Sequence, residues 1–229
     1  MGMVKLTYVA VIALATARAL ADGVSGGWYW SAAGGSIDVS CGTLAGAGII
    51  RAEGGYMTGT SYPCGGGGRV AVRQTVGIDF TSSWSGTVSA YGTLAPSRDA
   101  GTPQAGCGTV YLQSAADAEG GGRIVVDNAG GSGYTDFPMK EDGSPKRAYR
   151  AASLELGAGS TLVLTNDVTV FDLDVRDANA KIDLNGRTLT IRSKAHEGGE
   201  GWAAPTGTCV TVNGGRIVWK QPGMMLMVR

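Results

Sequence analysis

Residues 153–192 read SLELGAGSTLVLTNDVTVFDLDVRDANAKIDLNGRTLTIR, and this stretch decides the fold. Its apolar residues come in pairs two positions apart: Leu154/Leu156, Leu162/Leu164, Val168/Val170, Leu173/Val175, Ile182/Leu184 and Leu189/Ile191. Spacing i, i+2 puts both members of a pair on one face of a strand. The pairs also repeat as a set. Leu154 to Leu173 is 19 positions, Leu162 to Ile182 is 20, and Val170 to Leu189 is 19. Three short strands recurring every 20 residues or so describe one coil of a parallel β-helix. Between the apolar pairs, Glu155, Thr169, Asp174, Asp183 and Thr190 take the outward positions, and Gly157, Gly159, Asn179, Asn185 and Gly186 fill the corners. Alternation breaks at Val170-Phe171, where two neighbours both read as inward; a corner or bulge is expected there.

Outward from this stretch the strand signal persists but the spacing loosens. Three segments share one phrase: Gly67-Gly68-Arg69-Val70-Ala71-Val72, Gly121-Gly122-Arg123-Ile124-Val125-Val126 and Gly214-Gly215-Arg216-Ile217-Val218-Trp219. A second phrase, Gly-Thr-(Cys)-Val, opens at Gly86, Gly108 and Gly207. Each is a glycine turn feeding a β-branched run. Strands are expected at 36–40, 47–52, 69–73, 86–91, 108–113 and 123–127. Surface insertions are expected near 128–150 and 193–207. Trp28-Tyr29-Trp30 and Met224 to Met227 are candidate caps for the two ends. One elongated domain over 22–229 accounts for this organisation.

Composition agrees. Glycine supplies 39 of 229 residues and proline only 7, without a collagen period, while 43% of the residues are hydrophobic and 17% charged. Residues 1–21 have the layout of a secretory signal peptide: Lys5, an apolar run from Leu6 to Ala17, and Ala19-Leu20-Ala21 before Asp22. The whole chain has formal net charge zero; removal of the leader takes Lys5 and Arg18 and leaves −2. A neutral chain without a basic block excludes nucleic acid as a partner class and electrostatic docking on an anionic membrane. No segment is long and apolar enough for a transmembrane helix. The destination read from these features is outside the cell or on its surface.

The segment Ala180-Lys181-Ile182-Asp183-Leu184-Asn185-Gly186-Arg187-Thr188-Leu189-Thr190-Ile191 resembles a rung of bacterial exported β-helix proteins, the autotransporter passengers and adhesin-like repeat proteins with a pectin-lyase-like fold. The glycine phrases 66–72, 84–92 and 106–112 look similar to repeats of large bacterial surface proteins. The resemblance spans most of residues 36–220. It implies a right-handed parallel β-helix with an adhesive or scaffolding role, and it carries no catalytic residues. No C-terminal membrane barrel is recognisable.

Parallel β-helices also carry polysaccharide lyases and glycoside hydrolases, so catalytic candidates matter. Asp172, Asp174 and Arg176 would share one outward strand face; under a lyase reading the carboxylates would hold Ca²⁺ and the arginine, with a lowered pKa, would act as base. Under a hydrolase reading two carboxylates act as acid and base. Asp183 and Arg187 would lie one coil away. The competing reading is a solvated rung of paired charges. Outside the lyase reading no cofactor or metal is expected. His196 lies in a charged loop and no nucleophile elbow is present. Tyr56, Tyr62, Trp84, Tyr91 and Trp202 fall near strand ends and are candidates for stacking on a polysaccharide or surface glycan; other surface proteins are the further partner class. The four cysteines allow three full pairings; Cys41 with Cys64 is the first expectation, against free buried thiols.

Overall fold

Alternating apolar residues and glycine punctuation produce short strands throughout, and those strands stack. The computed structural model describes residues 3–7, 12–13, 18–23, 31–55, 65–77, 83–93, 105–137, 150–193, 210–211 and 213–219. The described residues are all-β, without an α-helix. None of them belongs to a helix long and apolar enough to cross a membrane. The strands of the first half are β1 (Met3–Thr7), β2 (Ile12–Ala13), β3 (Arg18–Leu20), β4 (Ser36–Cys41), β5 (Leu44–Ala45), β6 (Ile49–Arg51), β7 (Arg69–Gln74), β8 (Thr87–Ser89) and β9 (Thr109–Gln113). Those of the second are β10 (Arg123–Val126), β11 (Tyr134–Asp136), β12 (Ser153–Leu156), β13 (Thr161–Val163), β14 (Val168–Val170), β15 (Asp172–Val175), β16 (Lys181–Asp183), β17 (Thr188–Ile191), β18 (Val210–Thr211) and β19 (Arg216–Trp219). All six strands expected before residue 128 are present.

Five sheets result. One sheet, ordered β1-β4-β7-β9-β10-β12-β15, runs through both halves. The first half adds β2-β5 and β3-β6-β8; the second adds β11-β13-β16-β18 and β14-β17-β19. Every ladder among these strands is parallel except β9–β10. The segment 1–21, read as a leader, contains β1, β2 and β3, which pair with β4, β5 and β6.

The expected register holds for Leu154↔Leu173 and Leu162↔Ile182. The third ladder differs: Val168 pairs with Leu189 and Val170 with Ile191, a spacing of 21. A slip of two residues keeps every side chain on its face, so alternation alone cannot detect it. The spacing near 20 belongs to this one step; Ile124↔Leu154 spans 30 residues and Leu189↔Ile217 spans 28. Phe171 does not face inward with Val170. It is a one-residue corner between β14 and β15, exposed, with its N–H donating to the Ala152 carbonyl at 2.8 Å. The insertion expected at 128–150 is shorter than that range, because Tyr134–Asp136 forms β11 and Phe137 is fully buried. The insertion near 193–207 lies, from 194 onward, outside the described residues, as do both candidate caps and His196.

The antiparallel pair does more than reverse direction. Residues paired across a ladder point to the same face. On β7 and β9 the inward residues are Val70, Val72 and Val110, which share the core of Ile37, Val39, Leu44 and Ile50. Across β9–β10, Val110 pairs with Val125, and Tyr111 pairs with Ile124. Yet on β10 it is Ile124 and Val126 that are buried, in a second core with Leu154, Leu156, Leu173, Ile182 and Leu189. The two cores therefore lie on opposite faces of the shared sheet. Val125 and Leu112 pack against the first core and Tyr111 against the second. Asn128, fully buried, ties the halves together: its Oδ1 accepts from the Gly92 N–H at 2.9 Å and its Nδ2 donates to the Ala105 carbonyl at 3.1 Å.

In the first half, glycine rows replace part of a side-chain core. Residues 33–35, 65–68 and 105–108 run beside 21–23, 52–55 and 90–93, with backbone hydrogen bonds such as Gly68 N–H to Ala52 O (2.8 Å) and Gly108 N–H to Ala90 O (2.6 Å). The approach is so close that a Cβ on Gly108 would overlap the Gly68 carbonyl oxygen.

Candidate functional site at the junction of the two cores

The face that holds the first core continues past β9 as the outer face of β10, β12 and β15. Register places Arg123 beside Leu112 and Ser153, and Val125 between Val110 and Glu155; Glu155 lies beside Asp174, and Ser153 beside Asp172. The column thus turns from apolar to charged within two strands.

Of the three candidates, Asp172 and Asp174 stand two positions apart on β15, and Arg176, just past its end, is paired with Asp174. Asp172 is buried, Asp174 half-buried, and the Arg176 side chain 52% exposed. Arg176 Nε donates to Asp174 Oδ2 at 2.8 Å. The organising group is one the sequence reading assigned only to an outward position. Glu155, with an 11% exposed side chain, takes Arg176 on Oε1 at 2.8 Å and Arg123 on Oε2 at 3.4 Å. Asp183 and Arg187 are not part of this cluster. Asp183 sits in a different sheet, where Asn213 Nδ2 donates to it at 3.0 Å.

Desolvation works to lower the Arg176 pKa, but the hydrogen bond to Asp174 and the negative charges of Glu155 and Asp174 outweigh it. The guanidinium is held above its ordinary value. An elimination base requires the opposite shift. Both oxygens of Glu155 are engaged by guanidinium groups, Oε1 by Arg176 and Oε2 by Arg123. Among the described residues no group of His, Cys, Asp and Glu is arranged to hold a metal ion.

Beside this cluster is a cavity of about 260 Å³ walled by Trp84, Gly86, Val88, Val110, Leu112 and Val125, with Arg123 and Glu155 on its rim. A narrower cleft of about 40 Å³ shares Val88, Val110 and Val125 and adds Tyr91 and Asp127. Two of the five aromatic candidates thus line these neighbouring cavities, Trp84 the larger and Tyr91 the narrower. Tyr56, Tyr62 and Trp202 lie outside the described residues. Trp84 is 8% exposed, positioned by the parallel bridge of its backbone to Gly46, and its Nε1–H has no hydrogen-bond partner. Tyr91 is half-buried; desolvation first, then the charges of Asp127 and Glu53, raise its phenol pKa. A larger cavity, about 350 Å³, is lined by the glycine rows around Gly34, Gly67, Gly68 and Gly108 together with Ser36, Arg69, Cys107, Thr109, Thr135 and Asp136.

Cys41 is a free, buried thiol; Cys64, its expected partner, lies outside the described residues. The parity of β4 sets that burial: Cys41 follows Ile37 and Val39 on the inward side, and burial pushes its pKa up.

No protein-family model, curated protein sequence or solved structure matches the chain.

Proposed function

We infer that the chain is an exported, non-catalytic surface module built as a right-handed parallel β-helix, with glycan binding as its activity. The stacked parallel ladders support the coil, since three sheets surround each core. The junction is compatible with one winding sense throughout. Reversal of strand direction at β9–β10 would invert the hand, and transfer of the core to the other face would invert it again. Processing after Ala21 would remove β1–β3 and leave β4, β5 and β6 as the first row. The other surface proteins considered as partners would meet the outer rows of this stack.

One observation carries the choice of binding over turnover: the carboxylates of Glu155 and Asp174 are ion-paired with Arg123 and Arg176. The competing reading, a polysaccharide lyase or hydrolase with Ca²⁺ as a lyase cofactor, needs these groups free to exchange protons. The test is incubation of the purified chain with a panel of polysaccharides, with and without Ca²⁺. Retention of a polysaccharide without release of reducing or unsaturated ends is expected. Release of such ends, lost in Asp172→Ala or Asp174→Ala, would make the protein an enzyme.

A further inference from the structure

We propose that the larger cavity binds a small zwitterion, a free α-amino acid or a short peptide, with Arg69 taking its carboxylate and Asp136 its ammonium group. The site lies on the side of the shared sheet away from the first core and is independent of the glycan-binding reading. Ser36, Arg69 and Thr109 open β4, β7 and β9 and stand in one row, Ser36 paired with Arg69 and Arg69 with Thr109. Each precedes a residue of the first core, Ile37, Val70 or Val110, so alternation turns all three to the opposite face. Neighbouring strands lie about 4.8 Å apart, which places a hydroxyl-bearing side chain on either side of Arg69. Asp136 comes from the other half of the molecule. It ends β11, the terminal strand of its sheet. That strand is tied to the glycine row by the Thr135 hydroxyl, which donates to the Cys107 carbonyl at 2.6 Å. The four polar side chains line one cavity of about 350 Å³.

These groups are not spent on the fold. Arg51, Arg73 and Arg123 are each paired with a carboxylate. Among the described residues, Arg69 and Asp136 have no ion-pair partner, and the Ser36 and Thr109 hydroxyls have no hydrogen-bond partner. The two opposite charges select the ligand. An anion alone would meet Arg69 and bring a second negative charge towards Asp136. A cation alone would meet Asp136 and face Arg69. A neutral ligand supplies a counter-charge to neither. A zwitterion supplies both: its carboxylate fits the planar guanidinium fork, with the flanking hydroxyls as further donors, and its ammonium protons go to the carboxylate, which only accepts. The volume lies at the low end of the roughly 300–1,000 Å³ of small-molecule sites, which suits one amino acid or a dipeptide and not a longer chain.

The experiment is titration of the ¹⁵N-labelled chain, following the Thr109 and Asp136 amide signals, with alanine, alanylalanine, N-acetylalanine and alaninamide. Alanine or alanylalanine is expected to move both signals, and N-acetylalanine and alaninamide, each with one charge removed, to bind more weakly. Whichever zwitterion binds more tightly names the source, a free amino acid or a peptide. Arg69 and Asp136 are exposed, so Arg69→Gln and Asp136→Asn leave both cores intact. Each should weaken the zwitterion about five- to tenfold, the scale of one charge-assisted hydrogen bond at a partly exposed site. The single-charge ligands should cross over: N-acetylalanine gains affinity in Asp136→Asn, and alaninamide gains it in Arg69→Gln. Absence of binding by both zwitterions overturns the proposal. So does equal binding of N-acetylalanine or alaninamide by the wild type, or zwitterion binding that neither variant weakens.

Discussion

Cys107 shows how one buried group links the fold to pH. It is 5% exposed and packs with the second core. Desolvation is the main cause that lifts its thiol; the Asp127 charge adds to it, and the Thr135 hydroxyl, 3.3 Å from Sγ, works against it. The result is a thiol pushed up to about 11 from an ordinary value of 9.0. The unfolded chain releases this proton first. The contribution to stability is therefore fully present below pH 9 and is lost as pH rises through 11. Across that window the thiol accounts for a loss on the order of 2–3 kcal/mol. Urea denaturation at pH 8, 9.5 and 10.5 should show a steeper decline for the wild type than for Cys107→Ala. Parallel pH profiles would refute the assignment. The same residue scale contains the pair the sequence did not expose. Glu155 reads as one more outward polar position, and only its nearness to Arg123 and Arg176, which lie 32 and 21 residues away, makes it the centre of a cluster.

At the scale of elements, two kinds of packing coexist. The second core is made of stacked leucine, isoleucine and valine columns, whereas the first half also relies on rows of glycine backbone. Alternation made the leucine columns legible, because the inward face of a strand is set by neighbours two residues away. Glycine runs gave a clear turn signal but not their packing role, since a residue without a side chain leaves no pattern of burial to read. Position within a row decides which glycine matters. A Cβ on Gly108 would overlap a backbone oxygen that cannot move without breaking the row, whereas a Cβ on Gly66 would meet only the Gly106 oxygen at 3.6 Å. Gly108→Ala should cost about 3 kcal/mol or more through overpacking. Gly66→Ala should change stability by less than about 0.5 kcal/mol, as most substitutions away from such features do. Chemical denaturation of the two variants side by side checks this, and equal effects would contradict the close approach at Gly108.

For the whole molecule, the consequence of the β9–β10 reversal is two cores that share a sheet but little apolar surface. Neighbouring repeats contribute most of the stability of a stacked structure, and separate cores are free to open as separate units. Hydrogen exchange should therefore resolve two sets of protected amides. Val72→Ala should lower protection in β4 and β7 and leave β12 and β15 unchanged. Leu156→Ala, at a typical cost of about 2–5 kcal/mol for a buried leucine, should do the reverse. Uniform loss of protection in either variant would show that the halves unfold as one. The function argued above depends on the same reversal, because it exposes the charged outer face of β12 and β15 to the end of the first core and forms the cavity between them.

What the sequence determined by itself is local: strand positions, the faces of Leu154, Leu173 and Ile182, and the shared face of Asp172 and Asp174. Each follows from alternation along a few residues, which chain geometry enforces wherever one side of a strand is buried. Tertiary structure alone decided the two-residue shift of β14 against β17, the reversal at β10, the change of core from one face to the other, and the placing of Trp84, Arg123 and Glu155 around one cavity. These depend on which strand pairs with which and in what direction. A shift of two residues or a reversal of direction leaves the alternation of every strand intact, so the pattern along the chain is the same in either case.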